Sequence, residues 1–293
     1  MTKSSLAYKF KTSNIAIKLI VINIGVYLLF NLMPWLLQLD IWPLKKYFVL
    51  PNAPFEFITQ PWSLLSYSFL HGGLRHLLWN MIGIYFISRF ILNLFTERRF
   101  LTIYLLGAIC GGLLFLGLTN VLPALSGNSY LVGASASLMA ILVFIGSYAP
   151  QTEIRLFTFN IKLWHIALVV VAVDVLSLGS SDNKGGILAH LGGATFGYVY
   201  ARQLLQGNDI GEWFEKIMDG VAGWFSKTPK RKKSPLRTVH KISKRKQTAA
   251  PKKPSKSDQQ IKIDAILDKI SKSGYESLSK AEKDFLFKAG KED

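Results

Sequence analysis

The sequence predicts an all-α membrane protein, a bundle of six transmembrane helices with both termini in the cytoplasm. Half of the 293 residues are apolar although the formal net charge is +17, a combination that is unusual for a soluble globular domain. The apolar residues are concentrated before about position 205 and the positive charge after it. Six apolar segments in the first part approach the roughly 20 residues that a helix needs to cross the hydrocarbon core.

The six predicted spans follow an N-terminal cytoplasmic tail over residues 1–14 and make up a membrane domain over residues 15–205. They cover Ile15–Leu37, Trp62–Phe95, Phe100–Leu122, Leu131–Tyr148, Leu163–Leu178 and Gly185–Leu205. No small-residue cleavage site follows the first segment, so we expect it to be a retained span rather than a signal peptide. The fourth and fifth are short, as expected for helices that their neighbours shield from lipid.

The orientation follows from the lysines and arginines next to the spans, which are enriched on the cytoplasmic side of membrane proteins. One side carries Lys3, Lys9, Lys11, Lys18, Arg89, Arg98, Arg99, Arg155, Lys162 and the basic tail. The other side carries Lys45, Lys46 and Lys184. The first side is therefore predicted to be cytoplasmic.

After the last span we expect three further segments. Residues 206–226 have the helical spacing of an amphipathic segment that lies on the membrane surface. Residues 227–258 are rich in Lys, Arg, Ser and Pro and read as a disordered linker, which we expect to bind anionic lipid rather than nucleic acid. Residues 259–293 suggest a short helical hairpin ending its first helix near Gly274, with a capping box at Ser279 and Glu282.

Polar side chains are expensive inside a membrane and are functional candidates for that reason. His71, His76 and Asn80 lie in the second predicted span, and Ser135 and His190 lie in the fourth and sixth. His76 and Asn80 are four residues apart and share one helix face. All three spans enter from the outer side, so the five residues lie at similar depth. We therefore expect a shared, water-accessible pocket near the outer face.

Two serines compete as the reactive hydroxyl in the run of small residues Leu131–Ala140. Ser135 and Ser137 are two apart, so on a helix they point about 200° away from each other. Only one of them can face His190. Either hydroxyl can also simply bond to the preceding backbone, as serines in membrane helices do.

No metal and no cofactor are expected. The single cysteine, Cys110, cannot form an intramolecular disulfide, and His-Glu-x-x-His is absent. His71 and His76 lack a third partner for a metal. His165 is interpreted as an interfacial residue and His240 as a solvated residue of the tail.

Three motifs together resemble the rhomboid intramembrane serine proteases. They are Gly133-Ala134-Ser135-Ala136, His71-x4-His76-x3-Asn80 and Ala189-His190-Leu191-Gly192-Gly193. The resemblance covers about residues 10–205 and implies a catalytic pair without a third acid, Ser135 as nucleophile and His190 as general base. It also implies that His76, Asn80 and the backbone N–H of Ser135 stabilise the oxyanion and that His71 supports them. The basic tail and its helices look similar to appendages of bacterial rhomboids, which would place the chain in a bacterial inner membrane.

The sequence departs from the family pattern at three places. Ala136 replaces the usual glycine after the nucleophile and is expected to crowd the pocket slightly. Met139 stands where an aromatic residue often stacks on the base, which suggests that His190 is held less firmly. The loop Asp40–Gln60 lacks the Trp-Arg pair often present there.

The leading hypothesis is therefore an endopeptidase that cleaves single-span or multi-span membrane proteins near the outer membrane face. An alternative is a catalytically weak rhomboid-like protein that binds membrane clients. Such a protein would be expected to lack Ser135 or His190, and both are present. A transporter or channel would need polar residues through the full depth or paired half-helices, and the inner half is apolar.

Overall fold

A computed structural model of the protein describes residues 6–125, 130–156, 158–225 and 258–289. The chain divides into two compact units, Met1–Pro229 and Lys230–Asp293. The expected linker over 227–258 lies outside the described residues except at Asp258, as do residues 1–5 of the expected N-terminal tail. His240 also lies outside them.

The first unit is mainly helical. Its α-helices are α1 (Leu6–Thr12), α2 (Ile15–Tyr27), α3 (Met33–Leu36), α4 (Trp42–Lys45), α5 (Pro54–Thr59), α6 (Ser63–Ser66), α7 (Leu74–Leu94), α8 (Glu97–Val121), α9 (Ser135–Tyr148), α10 (Leu163–Ser177), α11 (Lys184–Leu205) and α12 (Glu212–Phe225). A π-helical turn, Leu28–Leu32, joins α2 to α3, and 3-10 turns occupy Tyr67–Phe69 and Pro123–Leu125.

Three helical stretches of the described residues are long and apolar enough to cross a membrane by length and composition. They are Ile15–Leu36, Leu74–Leu94 and Glu97–Val121. Helices α9 and α10 are apolar but shorter. Helix α10 leaves Leu168, Val169, Val173 and Leu176 more than half exposed, and such an apolar surface favours contact with lipid over contact with water.

The second predicted span is shorter than its apolar sequence indicates. The long helix α7 begins at Leu74, and the expected first part, from Trp62, forms α6, a 3-10 turn and a loop instead. The backbone is extended at Leu70 and at Gly73, so the helix cannot continue through these positions. His71 therefore lies in a loop ahead of α7 and not on the helix with His76, which corrects the sequence-based expectation.

Two short antiparallel strand pairs accompany the helices, which the all-α prediction did not include. Strand β1 (Leu50–Pro51) pairs with β2 (Tyr130–Leu131), and β3 (Glu153–Leu156) pairs with β4 (Phe159–Lys162). The first pair ties the loop between the first two predicted spans to the residues that lead into α9. It therefore fixes the chain four residues before Ser135.

Glycines allow α8 and α11 to pack closely against α9. A methyl group on Gly193 would overlap the carbonyl oxygen of Ala136, and one on Gly197 would overlap that of Ala140. On α8, a methyl on Gly111 would lie 2.6 Å from the Cβ of Ala136. Small residues bring helices together in membranes in this way. The Gly-x-x-x-Gly spacing of Gly193 and Gly197 predicts this packing of α11 against the small residues of α9, and the contact is confirmed.

Helix α12 is held to the start of α8 by ion pairs. Arg99, about 20% exposed, pairs with Asp209 and with Glu215, whose Oε1 lies 3.4 Å from the arginine Nε. Tyr200 of α11 donates its hydroxyl to Asp209 over 2.7 Å. The amphipathic segment is thus joined to the ends of two long helices.

The second unit contains α13 (Asp258–Ser273) and α14 (Lys280–Ala289), separated by a 3-10 turn. Helix α13 ends before Gly274, whose φ of 76° lies in the left-handed region that glycine favours. At the start of α14, the Ser279 N–H donates to Glu282 over 2.7 Å and the Glu282 N–H donates to the Ser279 hydroxyl over 3.3 Å. The predicted capping box is confirmed.

Candidate active site

Ser135 is the first residue of α9, and the preceding loop fixes its position. Gly133 has a φ of 128°, a backbone angle that residues other than glycine rarely adopt. Its N–H donates to the Tyr67 carbonyl over 3.0 Å. Ser135 is half-buried. Among the described residues, neither its hydroxyl nor its backbone N–H has a hydrogen-bond partner. A free N–H at a helix N-terminus is suited to hold an anion.

Ser137, the alternative nucleophile, is in a different environment. Its side chain is fully buried, and a methyl group on Gly107 of α8 would lie 3.4 Å from its Cα. This serine therefore lies in the contact between α9 and α8. Of the two serine residues, Ser135 is therefore the one that is partly exposed, whereas Ser137 is buried.

His76 of α7 lies beside Gly133 and Ser135. A methyl group on Gly133 would lie 2.7 Å from His76 Nε2 and 3.5 Å from Ser135 Oγ. The Gly72 N–H donates to His76 Nδ1 over 3.4 Å, so a neutral imidazole carries its proton on Nε2. The side of the ring that lies near Ser135 is therefore a hydrogen-bond donor.

Asn80 is buried one helical turn after His76. Its amide Nδ2 donates to the His76 carbonyl over 2.8 Å, which leaves one N–H of the amide for another acceptor. Its Oδ1 has no partner among the described residues. The amide thus retains hydrogen-bonding capacity in a place where buried polar groups are normally satisfied.

His71 packs against His76, with ring centroids 5.2 Å apart in an edge-on arrangement. It is fully buried, and within the described chain neither ring nitrogen has a hydrogen-bond partner. Its carbonyl accepts from Asn31 over 3.1 Å, and Asn31 accepts from Lys45 over 2.7 Å. Burial lowers the pKa of the Lys45 ammonium in the loop between the first two predicted spans. His71 is thus anchored through its backbone and adjoins the site through its ring.

His190 lies in the first half of α11, with its side chain 23% exposed. It is close enough to His76 for the two imidazoles to interact electrostatically. Its Nδ1 lies 3.0 Å from Asp174 Oδ2. In the described part of the chain, no hydrogen bond joins its Nε2 to Ser135. Catalytic hydrogen bonds are often formed only when substrate is bound.

Asp174 is the site residue that the sequence reasoning missed. It is the only Asp, Glu, Lys or Arg residue of α10, and its side chain is 15% exposed. An ionisable group in an apolar helix was the available signal. Asp174 was not considered as a site residue because the family pattern implies no third acid. The structure corrects the expectation that His190 has no acidic partner.

The two departures beside Ser135 have structural consequences. Ala136 contacts Gly111 of α8 and Gly193 of α11, so its methyl group fills a helix contact and does not crowd the pocket. Met139 is buried in the hydrophobic core. The partner that holds His190 is Asp174 instead.

Metal-ligating side chains are not clustered in the described residues. No group of three or more His, Cys, Asp or Glu side chains is placed to hold a metal ion there. The site as described consists of a hydroxyl, three imidazoles, an amide and a carboxylate. Those groups suit acid–base chemistry.

Comparison with known proteins matches residues 59–207 to the Rhomboid domain and residues 254–289 to a family of unknown function, DUF6576. RHOMBOID-like protein 7 of Arabidopsis thaliana is 33% identical over 165 residues, 56% of this chain and 49% of that protein. RHOMBOID-like protein 12, mitochondrial, is 26% identical over 157 residues, 50% of this chain and 47% of that protein. RHOMBOID-like protein 4 is 35% identical over 146 residues, 49% of this chain and 34% of that protein. All three relatives are from the same plant, and the chain spans about half of their length or less.

The chain belongs to the rhomboid family, since the family domain covers half of its length. It is therefore a multi-pass integral membrane protein of the class that contains rhomboid-type intramembrane proteases and pseudoproteases. The bacterial inner membrane stays a prediction, because the relatives are plant proteins.

Proposed function

We propose that the protein is an active intramembrane serine endopeptidase, with Ser135 as nucleophile and His190 as general base. The observation that carries the proposal is the environment of Ser135. Its hydroxyl is accessible at the N-terminus of α9, beside the donor nitrogen of His76, whereas Ser137 is fully buried.

The proposal includes six spans with both termini in the cytoplasm. Helices α9, α10 and α11 would be the other three spans, in addition to the three longer candidates. The enrichment of Lys and Arg on one side supports the orientation. In this arrangement the N-terminus of α9, the start of α7 and the start of α11 all face outward. The site then lies near the outer face, where water can reach it.

The reaction proceeds by acyl transfer. The Ser135 oxygen attacks the carbonyl carbon of the scissile peptide bond while His190 Nε2 takes the hydroxyl proton. The tetrahedral intermediate collapses, the C–N bond breaks, and His190 returns the proton to the leaving amine. A water molecule then attacks the carbonyl carbon of the acyl-enzyme and gives a proton to His190. The C–O ester bond breaks, His190 returns that proton to the Ser135 oxygen, and the carboxylic acid product leaves.

The negative charge of the tetrahedral intermediate needs hydrogen-bond donors. The Ser135 N–H, the His76 Nε2–H and the remaining N–H of Asn80 are the three candidates in the described site. Donors of this kind act strongly where water is excluded, and loss of one typically costs about 10²–10³ in rate. We assign His71 a supporting role behind His76, consistent with their ring contact.

The substrates proposed are single-span or multi-span membrane proteins. A peptide bond inside a helix is hydrogen-bonded, so the cleaved segment should be a locally unstable helix. Anionic lipid is the proposed partner of the basic linker, where several Lys and Arg residues follow the last span.

A serine-reactive fluorophosphonate tests the nucleophile. We expect purified wild-type protein to be labelled, Ser135→Ala and His190→Ala to lose labelling, and the matched control Ser137→Ala to retain it. Labelling that survives Ser135→Ala and disappears in Ser137→Ala would contradict the assignment.

A client-binding protein without activity is the second candidate. The observation in its favour is that Ser135 and His190 share no hydrogen bond in the described structure. Absence of labelling in folded wild-type protein, together with capture of membrane clients, would support this reading over the protease.

A further inference from the structure

We infer that Asp174 is a positioning residue that completes a Ser–His–Asp arrangement with Ser135 and His190. The inference rests on the proposed function. Its basis is the 3.0 Å approach of Asp174 Oδ2 to His190 Nδ1, between helices α10 and α11. The expected catalytic pair had only a serine and a histidine, without a third acid.

The position of Asp174 argues for a specific use of its charge. Helix α10 is apolar apart from this carboxylate, His165 near its start and Ser177 at its end, and a carboxylate in such a helix is costly unless it is paired. Among the described residues, His190 is the hydrogen-bond partner of Asp174. Only six residues separate α10 from α11, so the carboxylate and the imidazole meet near the same end of two consecutive helices.

The chemistry of the pair sets the tautomer of His190. An ionised carboxylate only accepts hydrogen bonds, so His190 Nδ1 must carry a proton. The lone pair of the neutral imidazole is then on Nε2, which is the nitrogen that a base for Ser135 must use. The carboxylate also stabilises the imidazolium that forms during catalysis, as the acid of a serine-protease triad does.

His76, which lies beside Ser135, shows the opposite arrangement. It accepts from the Gly72 N–H at Nδ1 and so offers a proton at Nε2. Asp174 makes His190 an acceptor at Nε2, whereas Gly72 makes His76 a donor there. The two imidazoles are thereby assigned to different tasks, proton removal for His190 and oxyanion stabilisation for His76.

A purely structural role is the competing explanation, in which the Asp174–His190 pair only joins α10 to α11. In that case neutralising Asp174 would lower thermal stability but would leave the His190 tautomer and the chemical step unchanged. Measurements on stability alone cannot separate the two roles, so the test needs the rate of chemistry and the protonation of each ring nitrogen.

The test compares wild type, Asp174→Asn, Asp174→Glu and the control Asp182→Asn, which removes an exposed carboxylate from the loop between α10 and α11. Each full-length protein in detergent is labelled with a fluorophosphonate, and the saturating rate is separated from the half-saturating probe concentration. We expect Asp174→Asn to lower the saturating rate by about 10²–10⁴-fold with the half-saturating concentration unchanged. Asp174→Glu should recover part of the rate, and Asp182→Asn should equal wild type.

Nitrogen-15 NMR of histidine-labelled protein gives the second readout, with the His190 signal assigned by its loss in His190→Ala. We expect the proton on Nδ1 in wild type and a shift of population to Nε2 in Asp174→Asn. A wild-type His190 protonated on Nε2, or an Asp174→Asn rate equal to wild type, would overturn the inference while the proposed protease stands. If Asp174→Asn does not fold, the Asp174→Glu rate supplies the comparison with wild type, and a wild-type proton on Nε2 still overturns the inference. Absence of labelling in wild type would instead overturn the proposed function.

Discussion

Gly133 controls the spacing between His76 and Ser135 through its lack of a side chain. Its φ of 128° disfavours any other residue, and a methyl group would lie 2.6 Å from His76 Cε1. The His76 imidazole and the N-terminus of α9 approach each other only because Gly133 has no side chain between them. Gly133, two residues before the serine, thus sets the geometry of the hydrogen-bond donors at the site.

Gly133→Ala is expected to displace the His76 ring and to strain the backbone that leads to Ser135. Loss of one oxyanion donor predicts a fall in rate of at least about 10²-fold, measured as the rate of fluorophosphonate labelling. Gly117→Ala is the matched control, because a methyl group there meets nothing within 4 Å. Equal labelling rates for Gly133→Ala and wild type would show that His76 does not act from its observed position.

Five residues of the candidate site could be predicted from sequence because each stands in a short motif. They are polar groups among apolar or small residues, to which the predicted topology gives a common depth: Ser135, His190, His76, Asn80 and His71. Asp174 was missed because its partner is 16 residues away on another helix. A lone carboxylate shows no spacing pattern, so only the packing of α10 and α11 identifies its role.

At the level of helices, the close contact of α9 with α11 carries Ser135 and His190 toward each other. Gly193 and Gly197 remove the side chains that would separate the two helices at Ala136 and Ala140. This contact could be predicted from the Gly-x-x-x-Gly spacing. The break before α7 could not, since hydropathy describes the apolar character of a segment but not the extended backbone at Leu70 and Gly73.

Gly193→Ala should therefore push α11 away from α9. The added methyl group would overlap the carbonyl oxygen of Ala136, a backbone atom that cannot move aside without shifting the helix. We expect a loss of about 1–3 kcal/mol in the free energy of unfolding, measured by thermal or denaturant unfolding in detergent. Gly117→Ala should instead be neutral or stabilising by up to about 1 kcal/mol. A stability of Gly193→Ala equal to that of Gly117→Ala would contradict the packing described.

The capping box of α14 predicts a pH dependence in the second unit. Hydrogen bonds from the Ser279 N–H, Lys269 and the Ser279 hydroxyl lower the pKa of Glu282 from 4.5 to about 2. Because the pKa falls on folding, the stabilising effect is present above pH 4.5 and is lost as the pH falls toward 2. Hydrogen-exchange protection of Lys280–Ala289 in the full chain should decrease over this interval. Glu282→Gln should flatten the decrease, and an identical profile in that variant would assign it to another group.

At the level of the whole molecule, the chain combines a rhomboid domain with a second family domain of unknown function. The positions of the apolar segments and the basic tail could be predicted from composition and hydropathy. Substrate identity could not, since the proposed protease would select a helix by its local instability, which no sequence pattern of the protein records. The proposed topology places the accessible Ser135 near the outer face, and this predicts where substrates are cut.

Cleavage of a membrane substrate in proteoliposomes tests the central proposal most directly. The substrate would be a single-span protein with helix-destabilising residues in the outer part of its transmembrane segment. We predict one cut in that outer part by the wild-type protein, no cleavage by Ser135→Ala, and cleavage retained in Ser137→Ala. Cleavage that persists in Ser135→Ala would contradict the account.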